Sequence, residues 1–146
     1  MILLKVIYKY TLTTIAPSET IWKIWTNIKK WPTWDKEIEW VKIDGPFITG
    51  QSGKLKPKSG PITKFQITSC IPNKQFTTVS WLPFAKLIFD HQLGSNENKT
   101  MVTHQISIRG PLAWLFNIIL GSTLKQGLEN ALPQLIKQAE QYEQTH

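Results

Sequence analysis

The sequence predicts an α+β fold in which a curved antiparallel sheet is covered by one long C-terminal helix. Three patterns predict it: alternating apolar and polar residues near the N-terminus, further alternating segments separated by hairpin-length turns, and apolar residues at helical spacing in the last quarter of the chain. Hairpin-length connections imply antiparallel pairing. An antiparallel sheet with one apolar face needs a cover, and the final helix is the only element long enough to provide it.

The N-terminal region predicts a strand followed by a helix. Alternation over the first strand turns Tyr8 and Tyr10 to its buried face. Pro17 suits the first position of a helix, and apolar residues then recur on one helical stripe. This helix is expected to end before Pro32, because the residue that precedes a proline disfavours the α region. The segment Trp31–Asp35 predicts a turn or a single helical turn.

Six further strands and the long helix complete the predicted fold. The strands are indicated by alternation and by the turn residues between them, over 37–44, 51–58, 62–71, 75–81, 85–93 and 100–109. Gly53 and Pro57 weaken the second of these. The helix is predicted from Leu112 to Tyr142, over about eight turns, and Pro133 inside it predicts a kink or two abutting helices. No internal repeat or linker divides the sequence, so residues 1–146 are expected to form one domain.

The basic charge of the chain is not expected to bind nucleic acid. The net charge is +7, but sixteen of the seventeen basic residues are lysine and Arg109 is the one guanidinium. The lysines are spread along the sequence and are not banded on one helix. Lys54, Lys56 and Lys58 alternate on one side of an extended segment, where a solvated strand edge guarded by lysine is favoured over a binding patch.

The single cysteine and the apolar runs bear on compartment and location. Cys70 is alone, so neither an intramolecular disulfide nor a multi-cysteine metal site is possible, and its alternation with Lys64 and Gln66 predicts that it faces outward. The apolar start is too short for a signal peptide. The longest apolar run, 112–120, is interrupted by Asn117 and falls short of the ~20 residues of a spanning helix. A cytoplasmic protein without a transmembrane segment is therefore expected.

Five short motifs share a pattern with a known family. They are Ala16–Trp22 (APSETIW), Trp31–Asp35 (WPTWD), Asp90–Leu93 (DHQL), Thr100–Ile106 (TMVTHQI) and Gly110–Leu112 (GPL). Their order over nearly the whole chain resembles the SRPBCC superfamily, which includes START-related, polyketide cyclase-like and Bet v 1-like proteins. The resemblance implies a helix-grip fold, with a curved antiparallel sheet of about six or seven strands wrapped around a long C-terminal helix and short helices after the first strand. Members bind lipids, sterols, hormones or polyketides, catalyse cyclisation or dehydration, or act as co-chaperones, so the fold does not fix the function.

Two histidines are the candidates for chemistry. Alternation turns His91 and His104 inward, and an imidazole in a cavity can act as a general acid or base near neutral pH. The simpler interpretation, which we favour, is that each is a packed histidine. No metal site is expected, because the two histidines, Cys70 and the outward-facing Asp90 do not supply three or four convergent ligands. The sequence contains no nucleophile elbow and no glycine-rich phosphate loop, and no cofactor is expected.

A set of large side chains is predicted to line an internal cavity. From the strands it comprises Tyr8, Tyr10, Phe65, Ile67, Trp81, Phe89, His91 and His104, and from the long helix Phe116, Leu120 and Leu124. Seven tryptophans suggest either a thick aromatic core or a lined pocket. Such a lining predicts the binding of a hydrophobic small molecule that is lipid-, polyketide- or aromatic-like. A fully packed core without a cavity is the competing interpretation.

Two other functions remain open on the sequence. The first is an enzyme of the polyketide cyclase/dehydrase type that uses His91 or His104 as general base; convergence of both around an enclosed void would favour it. The second is a co-chaperone-like interaction module in which the tryptophan-rich segment 31–40 is a surface anchor. An exposed apolar patch around Trp31 and Trp34 would favour that alternative.

Overall fold

The structure is a computed structural model that describes residues 5–145. Its elements, in chain order, are β1 (Lys5–Thr14), α1 (Ser18–Thr26), a 3₁₀ turn (Ile28–Lys30), α2 (Trp31–Trp34), β2 (Ile38–Ile43), β3 (Ser52–Pro57), β4 (Thr63–Ile71), β5 (Gln75–Leu82), β6 (Ala85–Asn96), β7 (Lys99–Arg109) and α3 (Ala113–Thr145). The predicted α+β class, the seven strands and the short helices after the first strand are confirmed.

The seven strands form one antiparallel sheet with the order β1-β7-β6-β5-β4-β3-β2. The strands from β2 to β7 pair with their neighbours in sequence, and β1 returns to pair with β7, with Lys5 opposite Arg109. The edges of the sheet are therefore β1 and β2. Lys54 and Lys56 lie on β3, an interior strand, so the prediction that they guard a strand edge is wrong.

The long helix α3 closes the inner face of the sheet, where it contacts β1, β7 and β6. Its C-terminal half enters the larger core cluster, which includes Ile21, Trp25, Phe65, Ile67, Phe76, Val102, Leu132 and Leu135. Its N-terminal half covers a smaller core cluster formed by Leu87, Ile108 and Ala113. The predicted arrangement of a sheet that grips its C-terminal helix is confirmed. Within residues 5–145, no helix has the length and apolar character needed to cross a bilayer.

Pro133 lies inside α3 without dividing it. The prediction of two abutting helices is therefore wrong. A proline leaves the carbonyl four residues earlier, here that of Glu129, without its helical hydrogen bond. Pro133 and Glu129 are both exposed, so solvent reaches the freed carbonyl and the helix can continue.

The first helix is shorter than the sequence indicates. It ends at Thr26, because Asn27 leaves the helical region with φ −87° and ψ 74°. Pro32 then occupies the first turn of α2, where its missing N–H is tolerated. The helix α2 is the single helical turn that the sequence predicts at Trp31–Asp35, and it places Trp31 and Trp34 in the core.

A β-bulge in β4 reverses the prediction for Cys70. The register with β5 shifts between Ile67 and Ser69, and a bulge of this kind moves the following residues to the other face. Cys70 pairs with Phe76 and packs against the larger core cluster, and its thiol donates to the carbonyl of Phe47 at 3.7 Å. Cys70 therefore faces inward.

Candidate functional site

The candidate site is the inner face of the sheet beneath α3. Cross-strand pairing between β1, β7 and β6 aligns the predicted lining residues in two neighbouring rows. One row is Tyr8, Ile106 and Phe89, and the other is Tyr10, His104 and His91. Both histidines lie on the inner face, as alternation predicts, and the register of β6 with β7 sets them directly opposite each other.

The two histidines are packed against each other and against aromatic rings. The ring centroids of His91 and His104 lie 4.7 Å apart. Phe76 stacks on His91 with a centroid distance of 3.9 Å and an interplanar angle of 8°. Trp25 Nε1 donates to Nε2 of His104 at 3.1 Å. Because Nε2 accepts this hydrogen bond, the proton of the neutral His104 ring is assigned to Nδ1.

Both imidazoles are neutral at pH 7. Burial lowers the pKa of His104 to about 3. Burial, and then the neighbouring His104, lower the pKa of His91 well below its ordinary value of 6.5. General-base catalysis is most effective when the pKa lies near the operating pH. These environments favour the packed-histidine interpretation over a role in proton transfer.

The tryptophans of α2 belong to the core and not to the surface. Trp31 is 7% exposed and Trp34 is 3% exposed. Trp31 Nε1 donates to the carbonyl of Trp25 at 2.7 Å, and the ring of Trp34 lies 5.9 Å from that of His104. The exposed apolar patch that would favour a co-chaperone-like module is therefore absent at Trp31 and Trp34.

Trp81 is the lining residue that the sequence placed on the wrong face. The inner face of β5 is set by Phe76, which pairs with His91, so period-2 alternation turns the odd-numbered residues of this strand outward. Trp81 lies opposite Lys86 and is 60% exposed. Its prediction as a cavity residue is wrong.

The other predicted lining residues divide into two groups. Phe65 and Ile67 are fully enclosed in the larger core cluster, and Tyr10 packs against it, so these three fill the core. Phe89, Phe116 and Leu124 are half-buried and pack against the smaller core cluster, and Tyr8 is half-buried on the same face of the sheet. Leu120 is also half-buried but belongs to neither core cluster. Half-buried members of the predicted lining are therefore found beneath the N-terminal half of α3, while other half-buried residues, such as Leu12 and Leu93, lie around the larger cluster.

A polar pair joins β1 to the N-terminal half of α3, and Asn117, one of its two members, is not among the predicted lining residues. The Tyr8 hydroxyl donates to Oδ1 of Asn117. Gly121 makes this approach possible, because a Cβ at this position would lie 2.5 Å from Asn117 Oδ1 and 2.7 Å from the Tyr8 hydroxyl oxygen. The signal in the sequence was the polar Asn117 in an apolar helical run.

Substitution of the two α3 glycines should separate helix propensity from this close approach. Gly127→Ala is expected to stabilise the protein by about 0.5–1 kcal/mol, because its new Cβ would meet only Glu37 Cγ at 3.8 Å. Gly121→Ala should lack this gain, because the new methyl displaces Tyr8 or Asn117 and weakens a hydrogen bond that contributes about 0.5–1.5 kcal/mol.

Chemical denaturation of both variants measures the difference. In a Tyr8→Phe background, which removes the hydroxyl, Gly121→Ala should recover part of the gain. Equal stabilisation by the two alanines in the wild-type background would show that Gly121 is not needed for the contact.

Two buried polar atoms flank His104 without a hydrogen-bond partner among the described residues: Trp34 Nε1 and His91 Nδ1. Their rings lie 5.9 Å and 4.7 Å from that of His104, centroid to centroid. An unpaired buried polar group costs about 1–3 kcal/mol.

Two open grooves lie elsewhere on the described surface. One, of about 230 Å³, runs between α1 and α3 and includes Lys23, Asn27 and Gln138. The other, of about 260 Å³, includes Asp35 and Asn130, and burial raises the pKa of Asp35 to about 6. Neither groove reaches the histidines. Among residues 5–145, no group of three or more His, Cys, Asp or Glu side chains is arranged to hold a metal ion.

Comparison with known proteins supports the architecture through structure and not through sequence. No family model matches the chain, and no curated protein matches it. Ara h 8.0201 superposes with a TM-score of 0.72 and 11% identity, over 94% of this chain and 99% of that one. The ZhuI aromatase/cyclase from Streptomyces sp. R1128 has a TM-score of 0.74 and 13% identity, over 93% and 94% of the two chains. The chain has the helix-grip fold.

A third helix-grip structure is the di-domain ARO/CYC StfQ from the steffimycin biosynthetic pathway. Its TM-score is 0.80 at 11% identity, and the match covers 96% of this chain and 52% of StfQ, so this chain spans about half of that protein. The expected resemblance to SRPBCC proteins is thereby confirmed for the fold. At 11–13% identity the similarity carries the helix-grip fold alone, since one fold serves many functions.

Proposed function

We propose that the protein binds a small hydrophobic molecule between the N-terminal half of α3 and strands β1, β6 and β7, within a single domain. The observation that supports this is the accessibility of side chains on the covered face. Phe89 from the sheet and Phe116 and Leu124 from the helix pack against the same small cluster between the two layers and remain half-buried. Apolar walls of this kind, with a few polar groups, are typical of ligand sites.

The polar groups at this end would orient the ligand. The Tyr8 hydroxyl donates to Asn117 and can still accept a hydrogen bond, and the amide of Asn117 retains its donors. His91 lies on the same face of β6 as Phe89. The ligand is therefore an apolar molecule with at least one oxygen-bearing group, of the lipid-, polyketide- or aromatic-like class.

Nile red is a suitable probe for this site. It is expected to bind with a dissociation constant in the micromolar range and to quench tryptophan emission. Leu124→Trp, which adds bulk where Leu124 packs between the layers, should weaken binding at least about tenfold, or ~1.4 kcal/mol. The control Ser122→Trp adds the same ring at an exposed position of the same helix and should leave the affinity unchanged. Equal affinity of all three proteins would exclude this site.

One observation also favours an enzyme of the cyclase type as a second candidate. His91 and His104 are in direct contact on the face where the ligand is proposed to bind, and two of the structures with the same fold are named as aromatase/cyclases. His91→Ala distinguishes the two candidates. We expect it to change Nile red affinity by less than about tenfold, whereas a reaction that is lost while binding persists would establish catalysis.

A further inference from the structure

The outer face of the sheet, which faces away from α3, carries basic side chains in register. On one side, Lys42 lies opposite Lys54 and Lys54 lies opposite Lys64. On the other side, Lys86 lies opposite Arg109, which in turn lies opposite Lys5. All six side chains are exposed. We call this row of Lys42, Lys54, Lys64, Lys86, Arg109 and Lys5 the cationic band.

Trp81 occupies the one strand between the two halves of the cationic band. It pairs directly with Lys86 on one side. On the other side, the pairing of β4 with β5 ends at Gln66 and Val79, and Lys64 lies two residues beyond Gln66 on the same face of β4. The band therefore has one member on each of six strands, and the exposed indole of Trp81 lies on the seventh, β5. At ~4.8 Å per strand, seven strands span about 29 Å.

The internal interactions of the fold do not account for this row. Like charges that lie directly opposite each other on neighbouring strands are destabilising. Within residues 5–145 the one ion pair is between Lys56 and Glu39, neither of which belongs to the band. Lys42 lies over the ring of Trp40 at 4.9 Å, and no acidic side chain pairs with any of the six. Their charge is available to an external anion.

Exposed apolar side chains border the cationic band. The β5–β6 turn ends in Phe84, which is 75% exposed and has φ +58°. A proline followed by a residue with positive φ is typical of the two central positions of a type II turn. The second central position, here Phe84, normally carries glycine or asparagine. A bulky aromatic side chain is therefore held outward against its backbone preference. Ile62 is 52% exposed and lies two residues before Lys64, and Ile7 is 46% exposed and lies two residues after Lys5.

We propose that the cationic band and its apolar border dock onto an anionic phospholipid bilayer. Lysine and arginine attract anionic headgroups without needing a fixed geometry, while Trp81, Phe84 and Ile62 enter the boundary between headgroups and acyl chains. The aliphatic members favour lipid over nucleic acid, because an isoleucine offers no flat face on which a base can stack. This surface lies on the opposite face of the sheet from the proposed ligand site and does not depend on it.

Co-sedimentation with vesicles tests the proposal. The protein should bind phosphatidylcholine vesicles that contain phosphatidylserine, and should not bind phosphatidylcholine alone. The triple variant Lys54→Gln, Lys64→Gln, Lys86→Gln should weaken binding at least about tenfold. The matched control Lys29→Gln, Lys125→Gln, Lys137→Gln removes the same charge from exposed helical positions and should change binding less than about threefold.

Phe84→Asn tests the apolar border separately. Asparagine tolerates positive φ, so this variant should be at least as thermally stable as the wild type while binding the vesicles several-fold more weakly. Three results would overturn the proposal: no binding to the anionic vesicles, equal losses in the band and control triples, or band-dependent binding of a single-stranded oligonucleotide without vesicle binding. The last would assign the band to nucleic acid.

Discussion

Removal of the residues after Asn130 is expected to unfold the domain and not merely to shorten its helix. The deleted segment contains five buried side chains that pack in the larger core cluster: Ala131, Leu132, Leu135, Ile136 and Ala139. The loss of one large apolar side chain from a core costs ~2–5 kcal/mol, and three are lost here, against a total stability of ~5–15 kcal/mol for a domain. The truncation also removes Glu140, which accepts a hydrogen bond from the Thr14 hydroxyl at 2.8 Å.

Thermal unfolding followed by circular dichroism measures this effect. The control is a truncation after Glu143, which retains the bond from the Thr20 hydroxyl to Glu143 and every buried side chain of α3. The control should unfold within a few degrees of the full chain. If the protein cut after Asn130 did the same, the end of α3 would be an appendage and the sheet would need another cover.

Acidification from pH 6.5 to pH 4.5 is expected to destabilise the protein by about 2–3 kcal/mol through His104. The folded state holds the pKa of His104 at about 3, below its ordinary value of 6.5, so the unfolded chain takes up the proton first. The stabilisation is present above pH 6.5 and is lost as the pH falls toward 3, at about 1.4 kcal/mol per pH unit. His91 acts in the same direction.

Asp35 has the opposite dependence. Burial raises its pKa from 3.8 to about 6, so its contribution to stability is present below pH 3.8 and is lost as the pH rises through 6. The wild-type profile is therefore a sum of opposing contributions, and a variant is needed to isolate that of His104.

His104→Gln isolates the effect because its side-chain oxygen can still accept the hydrogen bond from Trp25. The variant should be less stable than the wild type at pH 7. The difference should shrink as the pH falls, because only the wild type has an imidazole at position 104 that takes up a proton when the chain unfolds. Asp35 is present in both proteins and cancels. Urea denaturation across pH 4.5–7 gives both curves, and parallel curves would contradict the low pKa of His104.

The elements of the fold were predictable because each has a local signal. Period-2 alternation marks the strands and turns Tyr8, Tyr10, His91 and His104 to the correct face. The helical stripe after residue 112 marks α3. These signals arise from burial against a common layer, which imposes a regular spacing on each element separately.

The errors arise where one residue changes the phase of a pattern. The bulge after Ile67 brings Cys70 inward, and the alternation of β5 has to be counted from Phe76 to show that Trp81 points outward. Trp31 and Trp34 have no regular spacing with the core, and only the packing of α2 buries them.

The cationic band could not be predicted because its members are distant in sequence. Lys42 and Lys54 are twelve residues apart, and Arg109 and Lys5 are more than a hundred residues apart. Pairing register brings them together, and register depends on the tertiary fold as well as on each strand's own pattern. The pairing of Tyr8 with Asn117 was hidden in the same way.

The pairing of β1 with β7 also determines when the fold can form during synthesis. Lys5 to Thr14 emerge from the ribosome long before their partners, residues 100–109. At about 5–20 residues per second, the first strand waits roughly 5–20 s for its neighbour. The C-terminal end of α3, where Glu140 and Glu143 accept hydrogen bonds from Thr14 and Thr20, is synthesised later still. During this interval Tyr8, Tyr10 and Leu12 of the nascent chain have no partner strand. Exposed apolar strands of this kind are prone to aggregation and are bound by chaperones.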